Sequence, residues 1–456
     1  MKKLSLLFFL FTGITFSALA QSEISNFTVT GSGLATTLSE DYESVGINPS
    51  NLGWDNTKKL HFGLLEGGYS IYSDEFTKKQ FSNNFLLSFH DSKLSASTTT
   101  KADAALEMAN KGYAINVDET LLGVAVQLPG IGGFGFTARA RGSDYMHLNG
   151  TGADIVYNGS SASYFSTAST NPQSLSTLFD GSKMYSDVYM EYNLSYGRRW
   201  YQNDDIKIYG GVGVKYIQSF GILDIESKGG TLTAFTAFSP RFNANYGAVS
   251  PSSDSSGTLK PIGSGFGFDI GGSIIIKEKM KIGIAVDDIG SVTYTGNVYK
   301  ANNTNLLSTT KLAGLQYLAN YKDINDLIGG DGVFKLQGLK TTSISLPTNL
   351  RLGYSYDVLK NLVVGADVYL PLADVPGNLL SPEIGVGGQV KLFNLIKLST
   401  GVNAGGNSAF NIPLGITFVP HNGSYEFGVA TRDILYLASN SNPNASIVLG
   451  FLRFGI

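Results

Sequence analysis

The stretch Ile206-Lys207-Ile208-Tyr209-Gly210-Gly211-Val212-Gly213-Val214-Lys215-Tyr216 decides the fold class of this chain. Its even-numbered residues are apolar or aromatic apart from one glycine, whereas its odd-numbered residues are mainly lysine and glycine. Because successive side chains of a β-strand point to opposite faces, this alternation predicts a strand with one apolar face and one small or polar face. The same period recurs at residues 262–274, 281–287 and 362–370.

Further segments with strand character lie on both sides of these four and are separated by turn signals. They are residues 59–72, 80–90, 121–129, 133–148, 185–200, 345–358, 383–394, 395–404, 409–420, 423–436 and 444–456. An apolar face towards lipid and a polar face towards a lumen is the pattern of a transmembrane barrel. The segments number about fifteen, and we expect a closed antiparallel β-barrel of about 14 strands.

The composition excludes several other classes of protein. Charged residues make up 15% of the chain, well below the ~25% of soluble globular proteins. The 55 glycines fit the small or polar face of the strands, and the absence of cysteine excludes disulfides and thiolate metal sites. No run after residue 20 reaches the length of a spanning helix. A chain of this composition that crosses a membrane must therefore do so as a closed all-β barrel.

The first twenty residues have the pattern of a cleaved export signal. Lys2 and Lys3 precede an apolar run, and Ala18-Leu19-Ala20 supplies the small residues of a cleavage site. We therefore expect a signal peptide at residues 1–20, an N-terminal segment at 21–57 and a barrel at 58–456. Export of a barrel indicates the outer membrane of a Gram-negative cell.

The connections between the expected strands alternate in length. Short turns fit the periplasmic side of a barrel, and long loops fit the outer side. The long segments are rich in Ser, Thr, Asn and Gly, and they lie at about 91–120, 149–184, 224–261 and 299–344. Residues 101–111 and 306–327 within them have a helical pattern. We interpret the second as a surface helix that caps the barrel mouth; a gating or partner-binding role is the alternative.

The segment Gly31–Trp54 contains a short helical pattern followed by the turn Asn48-Pro49, with Gly46 and Gly53 on either side. It resembles the N-terminal hatch of the FadL-like (OMPP1/PorV-related) family of outer-membrane barrels. In that family a Gly/Ala-rich helix and an Asn-Pro-Ala turn precede the first strand and plug the barrel from within. Ser50 stands here where that family has alanine. An ordinary N-terminal helix at the periplasmic rim is the alternative interpretation of this segment.

Four other segments resemble a divergent, uncharacterised, Gly-rich branch of such proteins associated with Bacteroidota. They are residues 266–271, 281–290, 425–435 and 450–454. The resemblance implies one of two roles. FadL-type proteins pass hydrophobic compounds through a hatch-gated lumen, whereas PorV-type proteins are non-transporting partners of a secretion or surface-protein assembly machinery. The expected partners are therefore outer-membrane lipid together with a hydrophobic small molecule or secretion-machinery or surface proteins.

The sequence gives no support for catalysis or for a cofactor. The four histidines do not lie at metal-ligand spacing. Gly130, Gly132 and Gly135 match the letters of a dinucleotide-binding motif, but no amphipathic helix follows them, so we interpret them as a tight β-turn. We expect no enzyme activity, no metal site, no cofactor and no nucleic acid.

Charged residues at inward positions of the expected strands are the remaining candidates for a functional site. They are Asp269, Asp287, Arg351, Asp367, Glu426, Arg432 and Arg453, together with Glu191, Lys215 and Lys281. Because an unpaired buried charge is costly, charges of both signs inside a barrel are expected to pair across the lumen. Such pairs would hold a plug or stiffen the wall. A polar track that selects a substrate is the alternative.

Overall fold

The computed structural model describes residues 24–456 apart from 56–57, 74–75, 78–79, 81–99, 243–258, 308–332, 376, 380, 407 and 436–444. The expected signal peptide, nearly all of the strand expected at 80–90 and most of the helix expected at 306–327 lie outside the described residues.

One antiparallel sheet runs through the described residues and contains seventeen strands. The strands are β1 (Leu60–Tyr72), β2 (Lys111–Leu128), β3 (Gly132–Leu148), β4 (Lys183–Gln202), β5 (Ile206–Lys228), β6 (Thr231–Phe238), β7 (Gly263–Ile276), β8 (Met280–Ala301), β9 (Leu336–Ser345), β10 (Asn349–Leu359), β11 (Leu362–Pro371), β12 (Glu383–Leu392), β13 (Ile396–Gly405), β14 (Ser408–Asn411), β15 (Leu414–Phe418), β16 (Tyr425–Thr431) and β17 (Ala445–Gly455). The α-helices are Phe27–Thr30, Ala35–Leu38, Lys101–Met108, Gly150–Asn158 and Leu175–Leu178, and the 3-10 helices are Asp41–Ser44, Pro49–Gly53, Gly159–Ser161, Ser163–Ser166, Pro240–Phe242 and His421–Gly423.

Fourteen of these strands form a closed ring in which each strand pairs with both neighbours. The ring closes where β1 pairs with β17, in a register that runs from His61 opposite Gly455 to Ile71 opposite Ala445. The additional strands β6, β9 and β14 extend the wall beside β5, β8 and β13. The closed antiparallel barrel expected from the sequence is confirmed.

The two faces of the wall have the expected opposite character. In β7, Phe266, Phe268 and Ile270 each expose more than half of their surface, whereas Asp269 between them is buried. In β5, Val212 and Val214 are exposed and Lys215 is buried. A water-soluble protein would not leave such a continuous apolar surface uncovered. The outer face therefore faces lipid, and the polar residues face the lumen.

The wall is much taller on one side than on the other. β5 contains 23 residues and β8 contains 22, whereas β15 contains 5 and β16 contains 7. A strand needs only about 9–11 residues to cross a bilayer. The strands β2–β8 therefore continue beyond the membrane, on the side opposite the short turns.

This height corrects the expected loop boundaries. Residues 111–120, 224–238 and 336–344, which were expected in long loops, belong to β2, to β5 with β6, and to β9. In the upper part of β5 the alternation is lost, because both faces of the sheet are covered there. In β5, for example, the three residues Ile222, Leu223 and Ile225 are all buried. A strand that is buried on both faces loses its period of two and cannot be recognised from that period.

Two prolines account for further differences from the expected strands. The segment expected as one strand at 409–420 is divided into β14 and β15, with Pro413 between them. The strand expected at 345–358 begins at Asn349, after Pro347. Proline lacks a backbone N–H and cannot donate to a neighbouring strand, so a central strand ends or breaks there.

Helices cover the tall part of the wall. The helix Lys101–Met108 begins with a capping box, in which Thr100 and Asp103 exchange side-chain hydrogen bonds with the backbone. Met108 packs with Leu148, Ile155 and Met184 in an apolar cluster that joins this helix and Gly150–Asn158 to the strands. We call these two helices and the upper ends of β2–β6 and β8 the outer extension. Among the described residues, no helix is long and apolar enough to span a bilayer.

The lipid-facing position of Val212 can be tested by a charge substitution. Val212→Arg should lower the free energy of unfolding by about 2–4 kcal/mol, because the residue lies near the middle of the membrane-crossing part of β5. Val358→Arg, at the end of β10 beside a short turn, should cost about 0–1 kcal/mol. Guanidinium unfolding in lipid vesicles, followed by tryptophan fluorescence, measures both. Equal effects at the two positions would contradict the assignment of the bilayer to this level of the wall.

Candidate functional site: the plugged lumen

Residues 24–54, which we call the plug, lie inside the barrel. Almost all of them are buried. Their helical turns contact strands around the ring, including β1–β5, β7, β8, β10 and β15–β17. A segment can reach opposite sides of a closed ring at once only from its lumen. The structure thus places the N-terminal segment within the barrel and not at its periplasmic rim.

The expected turn at Asn48-Pro49 forms the start of the 3-10 helix Pro49–Gly53. The Asn48 Oδ1 accepts hydrogen bonds from the Ser50 backbone N–H at 3.2 Å and the Ser50 hydroxyl at 2.7 Å. Asn48 therefore caps this helix, and proline occupies its first position, where no N–H is needed. Gly46 has a φ of +77°, which favours glycine.

The wall and the plug approach each other at glycines. Pro49 lies directly against Gly197 of β4 and Gly211 of β5, where an added Cβ would collide with the plug backbone. A Cβ on Gly53 would come within 2.7 Å of the Arg198 backbone. The glycines of the lumenal face therefore leave room for the plug. The sequence showed that the residues on this face are small, and the close approach of the plug explains why.

An ion cluster joins the plug to the closing strands of the ring. Arg453 of β17 is buried, lies 2.7 Å from the Asp41 carboxylate and contacts Glu43. The His61 Nδ1 of β1 lies 2.9 Å from the same Asp41 oxygen. Glu426 lies 3.4 Å from Arg453. This cluster ties the 3-10 helix Asp41–Ser44 to the seam between β1 and β17.

The two plug carboxyls of this cluster differ in their proton affinity. Burial raises the pKa of the Asp41 carboxyl, but the charges of Arg453 and His61 and its hydrogen bonds outweigh burial and hold this pKa below its ordinary value. Burial dominates at Glu43 and raises its pKa, with the Asp41 charge adding to the effect and Arg453 opposing it. The pKa of Asp41 therefore lies below that of Glu43, although both carboxyls contact Arg453.

The other expected lumenal charges also have partners. Asp287 pairs with Arg351 at 2.5 Å, Asp269 with Lys215 at 3.0 Å, and Arg432 with Glu383 at 2.6 Å. The second carboxylate of Lys215 is Asp288, at 2.6 Å. Most of these pairs join neighbouring parts of the wall. Among the predicted residues, the structure thus brings together Asp287 with Arg351, Asp269 with Lys215 and Glu426 with Arg453, and these pairs lie at different points around the lumen.

Asp367 holds the plug through a hydrogen bond. Its carboxylate accepts from the Thr36 backbone N–H at 2.7 Å. Sequence reasoning missed one further contact to the plug, in which Glu66 accepts from the Tyr42 hydroxyl at 2.7 Å. It also missed an ion pair within the wall, between Asp118 and Arg139 at 2.5 Å. Asp118 lay in a segment that was expected to be a loop. Its alternation with Asn116 and Thr120 was the signal that could have placed it in the lumen.

A cavity lies above the plug, and we call it the vestibule. It lies between the plug and the inner face of the outer extension. Apolar and tyrosine side chains make up much of its lining, among them Ile217, Val292 and Tyr185. The plug contributes Ile24 to this lining.

An apolar recess, which we call the notch, lies at the low part of the wall. It lies at the upper ends of β15–β17 and β1. It includes the lipid-facing Val429 and Ile447 and also Ala430, which faces the lumen. On the lumenal side, Ile24 and Phe27 of the plug pack in one apolar cluster with Ala430 and Val448. Ile24 therefore lies between the vestibule and the notch.

Two remaining sequence expectations concern metals and the glycine motif. Within the part of the chain that the structure describes, no three histidine or acidic side chains are grouped so that they could hold a metal ion. Gly130 lies in the short turn between β2 and β3, and Gly132 is the first residue of β3; their φ angles are +77° and +130°. The interpretation of this motif as a tight β-turn is confirmed.

A closed ring of strands with a lipid-facing outer surface and an N-terminal plug in its lumen defines a plugged transmembrane β-barrel. Its lumen is polar, its vestibule has a mixed lining of apolar, tyrosine and charged side chains, and its notch is largely apolar. The chain belongs to the Family of unknown function (DUF5723), whose model matches residues 53–425.

Solved structures support the fold. The TodX deltaS2S3 mutant, a monoaromatic hydrocarbon channel, is 12% identical with a TM-score of 0.51, over 95% of this chain and 100% of that chain. The toluene transporter TodX of Pseudomonas putida is 10% identical, with a TM-score of 0.47 over 96% and 98% of the two chains. A FadL homologue of Pseudomonas aeruginosa is 11% identical, with a TM-score of 0.42 over 96% and 97%. The expected FadL-like fold is confirmed by the first of these.

One curated protein shares a short stretch with the chain. The serine/threonine-protein kinase MEC1 of Kluyveromyces lactis is 33% identical over 122 residues, which amount to 25% of this chain and 5% of the kinase. The chain thus spans only a small fraction of the length of this relative, and the kinase activity does not carry over.

Removal of the plug should open the lumen. We expect a variant that lacks residues 22–54 to assemble as a barrel and to conduct small ions and solutes, because about fourteen strands enclose more space than their own side chains fill. Single-channel conductance in planar bilayers measures this, with the full chain as the control. A deletion variant that is as impermeable as the full chain would show that the plug does not seal the lumen.

The ion cluster should contribute strongly to stability. Arg453→Met leaves Asp41 and Glu43 buried without their main cation, and we expect a loss of about 3–5 kcal/mol in the free energy of unfolding. Lys228→Met, at an exposed position at the end of β5, is the matched control and should cost less than about 0.5 kcal/mol. Guanidinium unfolding in vesicles measures both variants. Similar losses in the free energy of unfolding for the two variants would show that the ion cluster does not hold the plug.

Proposed function

We propose that this chain lies in the outer membrane and passes small hydrophobic compounds from the cell surface through the vestibule to the notch. The observation that carries the proposal is the position of Ile24 and Phe27, which separate the vestibule above the plug from an apolar recess in the wall. If this end of the plug moved, the two spaces would be joined.

The contacts of the plug support a movement of its first residues alone. Ile24 and Phe27 meet the wall through apolar packing against Ala430 and Val448. The rest of the plug is held by the Arg453 cluster and by direct hydrogen bonds to the wall, such as the Ser50–Ser273 bond of 2.9 Å. Apolar contacts are non-directional, whereas a buried ion pair is costly to break. The N-terminal end is therefore the part that can leave its place at the lowest cost.

The wall is also weakest at the notch. β15 has 5 residues, and Pro413 separates it from β14. A compound that leaves the vestibule there would enter the membrane from the side and would not have to cross the charged lumen below. The hydrocarbon and toluene transport named for TodX gives an example of such chemistry on this fold. The expected export signal at residues 1–20 would deliver the chain to the outer membrane.

The proposal can be tested by tethering the plug, because the chain contains no cysteine of its own. Ile24→Cys with Val448→Cys joins the N-terminal end to the wall, and Ser50→Cys with Ser273→Cys joins the base of the plug as the matched control. We expect the first disulfide to abolish uptake of radiolabelled naphthalene by cells that carry the protein, and reductant to restore it. The second disulfide should leave uptake unchanged. Uptake that is equally fast with the first tether closed and open would overturn the proposal.

The alternative is a non-transporting, PorV-like partner of a secretion or surface-protein assembly machinery. The outer extension favours it, because ordered helices such as Gly150–Asn158 give the loops a defined surface. In that case cells with and without the protein would take up naphthalene at the same rate. Proteins that co-purify with the full chain would be lost when residues 150–178 are replaced by a short turn.

A further inference from the structure

The vestibule carries one negative charge that its own cations do not neutralise. Three charged residues line it: Asp118, Arg141 and Asp187. Arg141 lies 3.2 Å from Asp118 and 3.4 Å from Glu191. Asp118 in turn pairs with Arg139 at 2.5 Å. These two arginines and two carboxylates balance one another, and Asp187 remains.

Asp187 has hydrogen-bond partners but no ion-pair partner. Its Oδ2 accepts from the Tyr185 hydroxyl at 2.8 Å, and Ser143 also hydrogen-bonds to its carboxylate. Among the residues that the structure describes, no lysine, arginine or histidine lies within 4.0 Å of this carboxylate, and the charge of Arg141 acts on it from a greater distance. A shielded carboxylate without a cation is costly, and a cationic ligand would remove that cost.

The surroundings of Asp187 suit an apolar body attached to such a cation. Tyr185, Tyr189 and Tyr294 share the vestibule with Ile217 and Leu346. Tyrosine rings attract cations through their negative faces. The Tyr189 ring already lies 5.6 Å from the guanidinium of Arg141. The same wall therefore offers aromatic faces, aliphatic surface and a carboxylate within one cavity.

We propose that the vestibule binds small amphipathic amines, with the ammonium group at Asp187 and the apolar part against the tyrosines and aliphatic side chains. This inference rests on the proposed passage of hydrophobic compounds, and it specifies which of them the vestibule selects. Neutral compounds of the same size gain only the apolar contacts. Compounds with a carboxylate are repelled by Asp187.

Three probes with one phenyl ring and different polar ends test this directly. Isothermal titration of the full protein in lipid nanodiscs would compare 2-phenylethylamine, 2-phenylethanol and 3-phenylpropionate. We expect the amine to bind at least about tenfold more tightly than the alcohol, the gain of one charge-assisted hydrogen bond. The carboxylate should bind most weakly.

Isosteric variants assign the effect to Asp187. Asp187→Asn should reduce amine binding to the level of the alcohol, and Tyr185→Phe, which keeps the ring, should reduce it less. Asp180→Asn, at an exposed position outside the cavity, is the matched control and should bind the amine unchanged. Alcohol binding that is equal in all four proteins would show that the variants are folded.

The outcomes separate this inference from the proposed function. If the alcohol binds and naphthalene is taken up, but the amine has no advantage or Asp187→Asn does not change its binding, amine selection is wrong and passage stands. If none of the probes binds and naphthalene uptake is also absent, both are wrong. Tighter binding of the carboxylate than of the amine would overturn the inference alone.

Discussion

The pairing of β1 with β17 is the constraint on which the rest of this structure depends. Lipid offers no hydrogen-bond partners to a backbone, so every strand that crosses the membrane needs a neighbour on both edges. The antiparallel register between the first and last strands satisfies this need and converts an open sheet into a ring. A ring of fourteen strands encloses more volume than its side chains can fill. The plug, the glycines opposite it and the paired charges around it all follow from that excess space.

Closure also explains why the lumen contains so many charges and so few free ones. The outer face is reserved for apolar side chains, and polar residues can be placed only inside. Once the plug excludes water, each of those charges must have a partner. Arg453 forms ion pairs with two plug carboxylates, Arg351 with Asp287, and Lys215 with Asp269 and Asp288. The same interactions that hold the plug therefore also make its charged part difficult to move.

The period of two was sufficient to predict the barrel wherever one face meets lipid and the other meets the lumen. It failed in the outer extension, where Ile222, Leu223 and Ile225 are buried on both faces and the strands were mistaken for loops. At the site, the Asn48-Pro49 turn and the inward charges could be named from the sequence, because capping and alternation are local properties. Their partners could not, because the pairing of Asp41 with Arg453 joins residues at opposite ends of the chain. The notch depends on the relative heights of neighbouring strands and has no local signal.

The order of these elements along the chain has a consequence for biogenesis. The plug precedes β1 in the chain, and β17 completes the seam beside β1. A plug that settles against the sheet before β1 and β17 pair does not have to be threaded through a finished pore. Arg453 stands in the final strand and contacts Asp41 in the N-terminal segment. The pairing of β17 with β1 thus closes the membrane wall and also brings Arg453 into contact with the plug.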